Sequence, residues 1–491
     1  MKRRFKIFAA MGLAVTAMAW TSCDDDHKPD WSGESGNPAA PATMVSSSVA
    51  EGAVIAPSTG SIEITYSAPI AFNSSRPVTL NGDTLSIKAN PDTGLDSIRV
   101  EGDKLVIDIP ALKHSTAYKL VIDERTVAAI GAQEFTPAVT INFTTEARAP
   151  QAHVLCNPAA TAQAVKLWDY LWEQRGKSIV SGAMANVNNN RDFAQWIAAK
   201  TGKTPALNCF DFIHLPESGQ NWIDYSDISA AKAQWDEGGL VSYMWHWRVP
   251  TDEQAYRDGD YDRYGSYVPG DNADHPVDFD IDRALTEGTW EHEFLMADIA
   301  KVAAVLAKLQ EAGIPVLWRP LHEAAGSYKY NGAWFWWGAK GGESTKKLWR
   351  LLYDQLVNVH GLNNLIWVWT AQYEPGYESN MAADYPGDDV VDVVGVDIYA
   401  DNDDSQVAAY NALNAMVDGN KLVAVTETGR VQDPAKCLAD GAAWSWFMIW
   451  YTYDIHTTGA DTDGFGNTAE SLTAVMNGSG VINLGDIPSL K

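Results

Sequence analysis

Two glutamates carry the strongest chemical signal in this 491-residue chain. Glu323 ends the stretch Trp318-Arg319-Pro320-Leu321-His322-Glu323, and Glu427 ends Val425-Thr426-Glu427. Each directly follows a short apolar run. A carboxylic acid and a carboxylate facing each other suit the hydrolysis of an acetal: one protonates the leaving oxygen, the other stabilises the oxocarbenium-like carbon. Other polar and aromatic residues end similar runs: His246-Trp247, Asp397-Ile398-Tyr399 and Trp450. The cluster Trp334-Phe335-Trp336-Trp337 follows Glu323. Aromatic rings offer flat apolar platforms for the C–H faces of a sugar, and nearby polar groups fix its hydroxyls. Each residue also has a bland reading: a solvated loop Glu, a structural His, a helix-start core of Trp. Their coincidence at run ends favours the chemical reading.

Other chemistries lack their residues. His322-Glu323-Ala324-Ala325-Gly326 begins like a two-His zinc motif but has no second His. No GxSxG elbow occurs. The acidic stretches Asp258–Asp262 and Asp401–Asp404 lack calcium-loop spacing. No metal or cofactor is therefore expected. Lys plus Arg number 36 against 63 Asp plus Glu, a net charge of -27. Such a surface repels phosphate backbones, so nucleic acid is not an expected partner. Cys156, Cys209 and Cys437 show no CxxC spacing and are read as buried thiols; one bridge is the alternative.

The elements that must hold these residues show in the periodicity. Eight short apolar runs, rich in β-branched and aromatic residues, occupy 178–181, 206–210, 240–245, 316–318, 365–369, 391–396, 422–425 and 446–449. Helical patterns separate them. The clearest is Phe294 to Ala312, where Leu295, Ile299, Val302, Leu306 and Leu309 form one stripe that stops at Gly313. Eight strands alternating with helices predict an α/β fold, a (β/α)8 TIM barrel over 150–491, whose active site lies at the C-terminal strand ends. A doubly wound sheet is the alternative, without a Gly-rich phosphate loop to support it.

The motifs resemble glycoside hydrolase family 26. Trp318 to Glu323 with Trp334 to Gly338, Val396-Asp397-Ile398-Tyr399 and Val425 to Gly429 carry the likeness, over about residues 155 to 485. The resemblance implies a retaining endo-β-1,4-mannanase that acts on mannan, galactomannan or glucomannan, with Glu323 as acid/base on strand four and Glu427 as nucleophile on strand seven. It implies that Tyr399 hydrogen-bonds the nucleophile and that His322 lies between the carboxylates. His246 and Trp450 would bind the sugar on the non-reducing side, Trp450 as its floor. Asp397 orients the constellation or caps its strand, and Arg319 braces the carboxylates from inside the barrel. One departure concerns Trp334: Ser327 to Ala333 intervene after Glu323, which leaves its place in the leaving-group subsite open. The long segment Arg248 to Thr289 is expected to form cleft wall. β-1,3-Xylan and mixed-linkage β-glucan are alternative substrates, and a non-catalytic surface glycan-binding protein is the alternative from another class.

Before the barrel, residues 42–147 alternate with period two: Ile62, Ile64 and Tyr66; Leu105, Ile107 and Ile109; Val139, Ile141 and Phe143. Turn signals such as Asn81-Gly82 separate them. The pattern predicts a β-sandwich and resembles bacterial immunoglobulin-like domains, here read as a spacer. Residues 1–22 read as a secretory signal: Lys2, Arg3, Arg4 and Lys6, then an apolar stretch from Ile7 to Trp20. Cys23 after Thr21-Ser22 resembles a bacterial lipidation site, although Trp20 stands where Leu is usual. Asp24-Asp25-Asp26 resembles the surface-export signal of Bacteroidetes lipoproteins. Residues 23–41 read as a flexible tether. The expectation is a monomer held on the outer membrane by a lipid anchor, with mannan as its partner.

Overall fold

The structure, a computed structural model, describes residues 40–491 except 89–95, 111, 114–115, 147–153, 187, 221, 269–275, 330–331 and 452–464. The signal, Cys23 and the tether up to residue 39 lie outside the described residues. The chain divides into two compact units, 1–149 and 150–491.

Among its described residues the first unit is all-β. Four strands, Met44–Ser47, Ser61–Tyr66, Lys104–Asp108 and Ile98–Glu101, make one sheet in that order; Ala53–Ile55, Val139–Thr145, Ala117–Ile122, Val78–Leu80 and Asp83–Thr84 make another. Alternation explains both. Along Val139–Thr145 every second side chain is buried, and Ile62, Ile64, Leu105, Ile107, Leu120, Ile141 and Phe143 join a single core. Complete burial of each such side chain stabilises by roughly 1.5–3 kcal/mol. Asn81 and Gly82 form the two-residue connection between Leu80 and Asp83, both with positive φ, 53° and 91°. That backbone matches the twist of a tight hairpin and suits Asn-Gly.

In the second unit eight parallel strands close on themselves. They are β1 (Ile179–Met184), β2 (Leu207–Asp211), β3 (Leu240–Met244), β4 (Val316–Arg319), β5 (Leu365–Ala371), β6 (Val393–Ile398), β7 (Leu422–Thr428) and β8 (Trp446–Ile449). Each pairs with the next, and Val180 opposite Trp446 closes β8 onto β1. A strand buried on both faces needs no polar alternation, which is why the eight runs read as continuous apolar stretches. All seven residues of Leu365–Ala371 are buried, as are all seven of Leu422–Thr428. The strand between helices Ala162–Gln174 and Asp192–Thr201 is β1; later helices include Ser229–Asp236, Trp290–Glu311, Gly342–Tyr353, Val407–Met416, Pro434–Asp440 and Ala469–Met476.

The helix expected from Phe294 begins four residues earlier, at Trp290. Thr289 caps it, accepting from the His292 backbone N–H at 3.1 Å. Its first turn carries Glu291 and Glu293, which favour a helix N-terminus but are silent in an apolar-stripe reading. Trp336–Gly338 is a single 3-10 turn, and the regular helix after β4 starts only at Gly342.

Candidate active site

Glu427 sits near the C-terminal end of β7, where the ladder is irregular. The β6–β7 register shifts between Val396 and Asp397, and the β7–β8 register between Val425 and Thr428. Such irregularities re-aim a side chain beside a barrel mouth. The Glu427 side chain ends between two donors, one at the end of β4 and one just past β6. Arg319, at the end of β4 and only 2% exposed, hydrogen-bonds Glu427 and reaches Asp397 at 3.1 Å. The Tyr399 hydroxyl donates to Glu427 Oε2 at 2.7 Å. Burial and Asp397 push the Glu427 carboxyl up, to about 7, against the pull of Arg319, His246 and Tyr399.

Asp397 is an orienting residue. It accepts from Arg319 and, at 2.7 Å, from the Thr426 hydroxyl. Gly395 leaves room for this: a Cβ there would lie 2.3 Å from Thr426 Cγ2.

Glu323 lies just past β4, on backbone bent twice into the left-handed region, with φ of 53° at Leu321 and 51° at Glu323. Few residues with a full side chain adopt this conformation, and it concentrates at functional sites. Ser327 and Gly332 exchange backbone hydrogen bonds at 3.0 and 3.2 Å, and Ser327 Oγ and the Lys329 N–H both donate to Glu374 beyond β5, at 2.6 and 2.7 Å. The Ser327–Gly332 pairing brings Trp334 back to the acid, so that its indole N–H donates to Glu323 Oε2 at 2.9 Å. Burial pushes the Glu323 carboxyl well above the usual range, reinforced by Asp397 and Glu427 and by a hydrogen bond with Asp397; Arg319 opposes them. Both carboxyls are thus raised, and of the two it is Glu427 that meets the donors favouring a charged form, the Arg319 guanidinium and the Tyr399 hydroxyl.

The histidines form a separate chain. His246 Nδ1 meets Asp211 Oδ2 at 2.6 Å, and the His246 backbone N–H donates to Asp211 Oδ1 at 2.9 Å. Burial disfavours the His246 cation, yet Asp211 outweighs it and raises His246 above its ordinary value. Burial likewise disfavours the Asp211 carboxylate, which His246 still holds low. His322 lines the same pocket as Glu323 and Glu427; its Nε2 meets His246 Nε2 at 3.2 Å, and its ring packs on Phe335 and Trp337. Burial, with His246 and Arg319, holds His322 well below its usual value, so it stays neutral. Trp337 Nε1 donates to the His322 carbonyl at 2.9 Å and draws that turn onto the aromatic cluster.

A single open pocket of about 300 Å³ is lined by His246, His322, Glu323, Trp334, Tyr399, Glu427 and Trp450, together with Tyr267 and Phe335. Asp397 lies beside it. Trp450 stands edge-on to His246 at 5.8 Å. Sequence reasoning missed Asp211, Tyr267 and Phe335 as site residues. Asp211 had a signal, since it is the polar residue that ends β2. Tyr267 had none: it belongs to the long segment after β3, whose Val268 N–H donates to the Trp334 carbonyl at 2.9 Å and whose Ser266 carbonyl accepts from Trp336. That pairing makes the segment part of the cleft wall.

The oxygens of Glu323, Asp397 and Glu427 lie within 4.8 Å of one another, a group that could hold a cation. The Arg319 guanidinium already supplies positive charge to two of the three, and the third favours its protonated form. The group therefore suits a proton shared among carboxyls better than a metal ion. Cys156, Cys209 and Cys437 are free thiols.

Comparison with known proteins agrees with this geometry. The model of the family "Glycosyl hydrolase family 26" matches residues 156–483. A mannan endo-1,4-β-mannosidase of Thermothelomyces thermophilus is 35% identical over 358 residues, 71% of this chain and 67% of that one. A mannan endo-1,4-β-mannosidase B of Piromyces sp. is 35% identical over 69% of this chain, and the match spans about half of its own length, 54%. Among solved structures, a β-mannanase from a symbiotic protist of the termite Reticulitermes speratus, complexed with a gluco-manno-oligosaccharide, shares 35% identity and a TM-score of 0.59. It covers 69% of this chain and 98% of that one. A closed eight-stranded barrel with glutamates at the ends of β4 and β7, matched over this whole span, makes the chain a glycoside hydrolase and a member of family 26.

Proposed function

We propose that the protein is a retaining endo-β-1,4-mannanase acting on mannan, galactomannan or glucomannan. The observation that carries this reading is the pairing, at close range, of Glu323, held by the Trp334 indole, with Glu427, held by Arg319 and Tyr399. One oxygen of each lies within 4.8 Å of the other, in keeping with retaining enzymes, which hold the carboxyls about 5–5.5 Å apart, rather than the roughly 6.5–9.5 Å of inverting ones. The names of the relatives from Thermothelomyces thermophilus and Piromyces support the substrate.

In this mechanism Glu427 Oε attacks the anomeric carbon. Glu323 gives its proton to the leaving oxygen, and the glycosidic bond breaks. The ester to Glu427 removes the negative charge that had kept Glu323 protonated, so Glu323 becomes a better base. It takes a proton from water, whose oxygen attacks the anomeric carbon and releases Glu427. Arg319 and the Tyr399 hydroxyl receive the returning carboxylate in place. The Trp334 indole fixes the Glu323 carboxyl toward the leaving group, and Trp450 with His246 forms the floor on the non-reducing side.

The test is a reducing-sugar assay on linear mannan, galactomannan, glucomannan, xylan and mixed-linkage glucan, run with the wild type and with Glu323→Gln and Glu427→Gln. A ladder of manno-oligosaccharides is expected, with either variant lowering turnover by about 10²–10⁴. Activity confined to xylan or glucan overturns the substrate, and tight mannan binding without cleavage overturns the reaction. The all-β unit is proposed to be an immunoglobulin-like spacer and Cys23 a lipidated residue that anchors the monomer at the outer-membrane surface. Fatty-acid label on the wild type and none on Cys23→Ala is the expected result.

A further inference from the structure

The acid of this site is held by an indole, and the indole stands on a turn that must itself be held. Trp334 Nε1 donates to Glu323 Oε2 at 2.9 Å. The carbonyl oxygen of a carboxylic acid is its better acceptor, so this bond gives that part to Oε2 and leaves Oε1 for the proton. General acid catalysis needs that O–H within hydrogen-bond reach of the leaving oxygen, and a small misplacement costs rate. What fixes Trp334 therefore bears on the acid.

The residues between Glu323 and Trp334 are moored to the segment after β5. Glu374, half-buried there, takes a donor on each oxygen: Ser327 Oγ on Oε1 at 2.6 Å and the Lys329 N–H on Oε2 at 2.7 Å. Between these two, the Tyr328 hydroxyl donates to Asp384 Oδ2 at 2.9 Å, at the end of the short helix Met381–Asp384, and the Tyr328 ring packs against the barrel core. Three consecutive residues are thus tied to the neighbouring segment. Ser327 also pairs with Gly332 in both directions, which returns the chain toward Trp334. Glu374 is the strongest of these moorings, since a carboxylate that receives two short bonds, one from a backbone N–H, holds its donors more firmly than a neutral acceptor does. It touches neither glutamate and has no part in the chemistry described above.

We propose that Glu374 is a positioning residue for proton delivery: by clasping Ser327 and Lys329 it holds the turn that sets the Trp334 indole on Glu323, and so aims the acid at the leaving oxygen. This proposal rests on the mannanase reading.

Phenyl β-mannotrioside and 2,4-dinitrophenyl β-mannotrioside share their sugars and differ in the leaving group alone. Dinitrophenoxide departs without a proton, whereas phenoxide needs one. Glu374→Ala is expected to lower kcat/KM on the phenyl glycoside about five- to tenfold, a part of the roughly 10²–10⁴ that a positioned acid contributes, and to leave the dinitrophenyl glycoside within about twofold. Glu374→Gln, with one acceptor in place of two, falls between. In a Trp334→Phe background, which lacks the indole N–H, Glu374→Ala costs nothing further. The dinitrophenyl rate also reports folding, and Ser327→Ala, which removes one of the two donors, gives the same selective loss where Glu374→Ala does not fold. Equal loss on both glycosides, loss on neither, or losses that add in the double variant overturn the role of Glu374 while the mannanase reading stands on wild-type cleavage of mannohexaose. A wild type that leaves mannohexaose intact overturns that reading and the proposal together, so the two failures are distinguishable.

Discussion

At the residue scale, two carboxyls of one chemical type are driven to opposite roles by their neighbours. Glu323 has an indole N–H, the carboxylate of Asp397 and burial around it. Glu427 has a guanidinium and a phenol. A pH dependence follows with a definite sign. Turnover requires Glu427 ionised and Glu323 protonated, so the acid limb of kcat/KM follows Glu427 and the alkaline limb follows Glu323. Both are raised from the ordinary carboxyl range, which places the bell at higher pH than for two solvent-exposed glutamates. Tyr399→Phe removes a hydrogen bond that favours the charged form of Glu427. Its acid limb is expected to move to higher pH while the alkaline limb stays, as a pH series on mannohexaose can show; an unmoved acid limb contradicts the role given to Tyr399. The glutamates, Tyr399 and Trp450 were legible in the sequence because each ends an apolar run. The contact of His322 with His246 was not, because it depends on how Trp337, reaching back to the His322 carbonyl, sets that turn.

At the scale of elements, the barrel positions its acids through departures from regularity. The backbone turns left-handed at Leu321 and Glu323, and β6 and β7 slip register around Asp397 and Glu427. None of these departures has a signature in hydrophobic period. All eight strands were legible because burial on both faces writes an unbroken apolar run. The Ser327–Gly332 pairing and the pairing of the long segment after β3 with Trp334 were not, since they depend on backbone contacts that no hydrophobic period records. Gly395 tests the packing beneath the site. Its hydrogen faces Thr426, and a methyl there would overlap Thr426 Cγ2. Gly395→Ala is expected to destabilise the protein by about 1–3 kcal/mol and to lower turnover as well, since Thr426 holds Asp397. Unfolding in urea followed by Trp fluorescence gives the first quantity; an unchanged midpoint contradicts the close approach.

At the scale of the whole molecule, the two units have separate cores, one centred on Ile64 and Leu105 and the other on the barrel. Every residue of the catalytic pocket belongs to 150–491. A protein comprising residues 150–491 is accordingly expected to keep kcat/KM on mannohexaose within about twofold of the longer form, as independent domains do. A large loss in a folded truncation contradicts that independence. The stereochemistry of cleavage bears most directly on the two-glutamate mechanism, because it reports the spacing of Glu323 and Glu427 without a mutation. Proton NMR of mannohexaose during the first minutes of hydrolysis resolves the anomer that forms before mutarotation. A nucleophilic Glu427 with Glu323 as acid and then base predicts the β-anomer first; initial appearance of the α-anomer would contradict it.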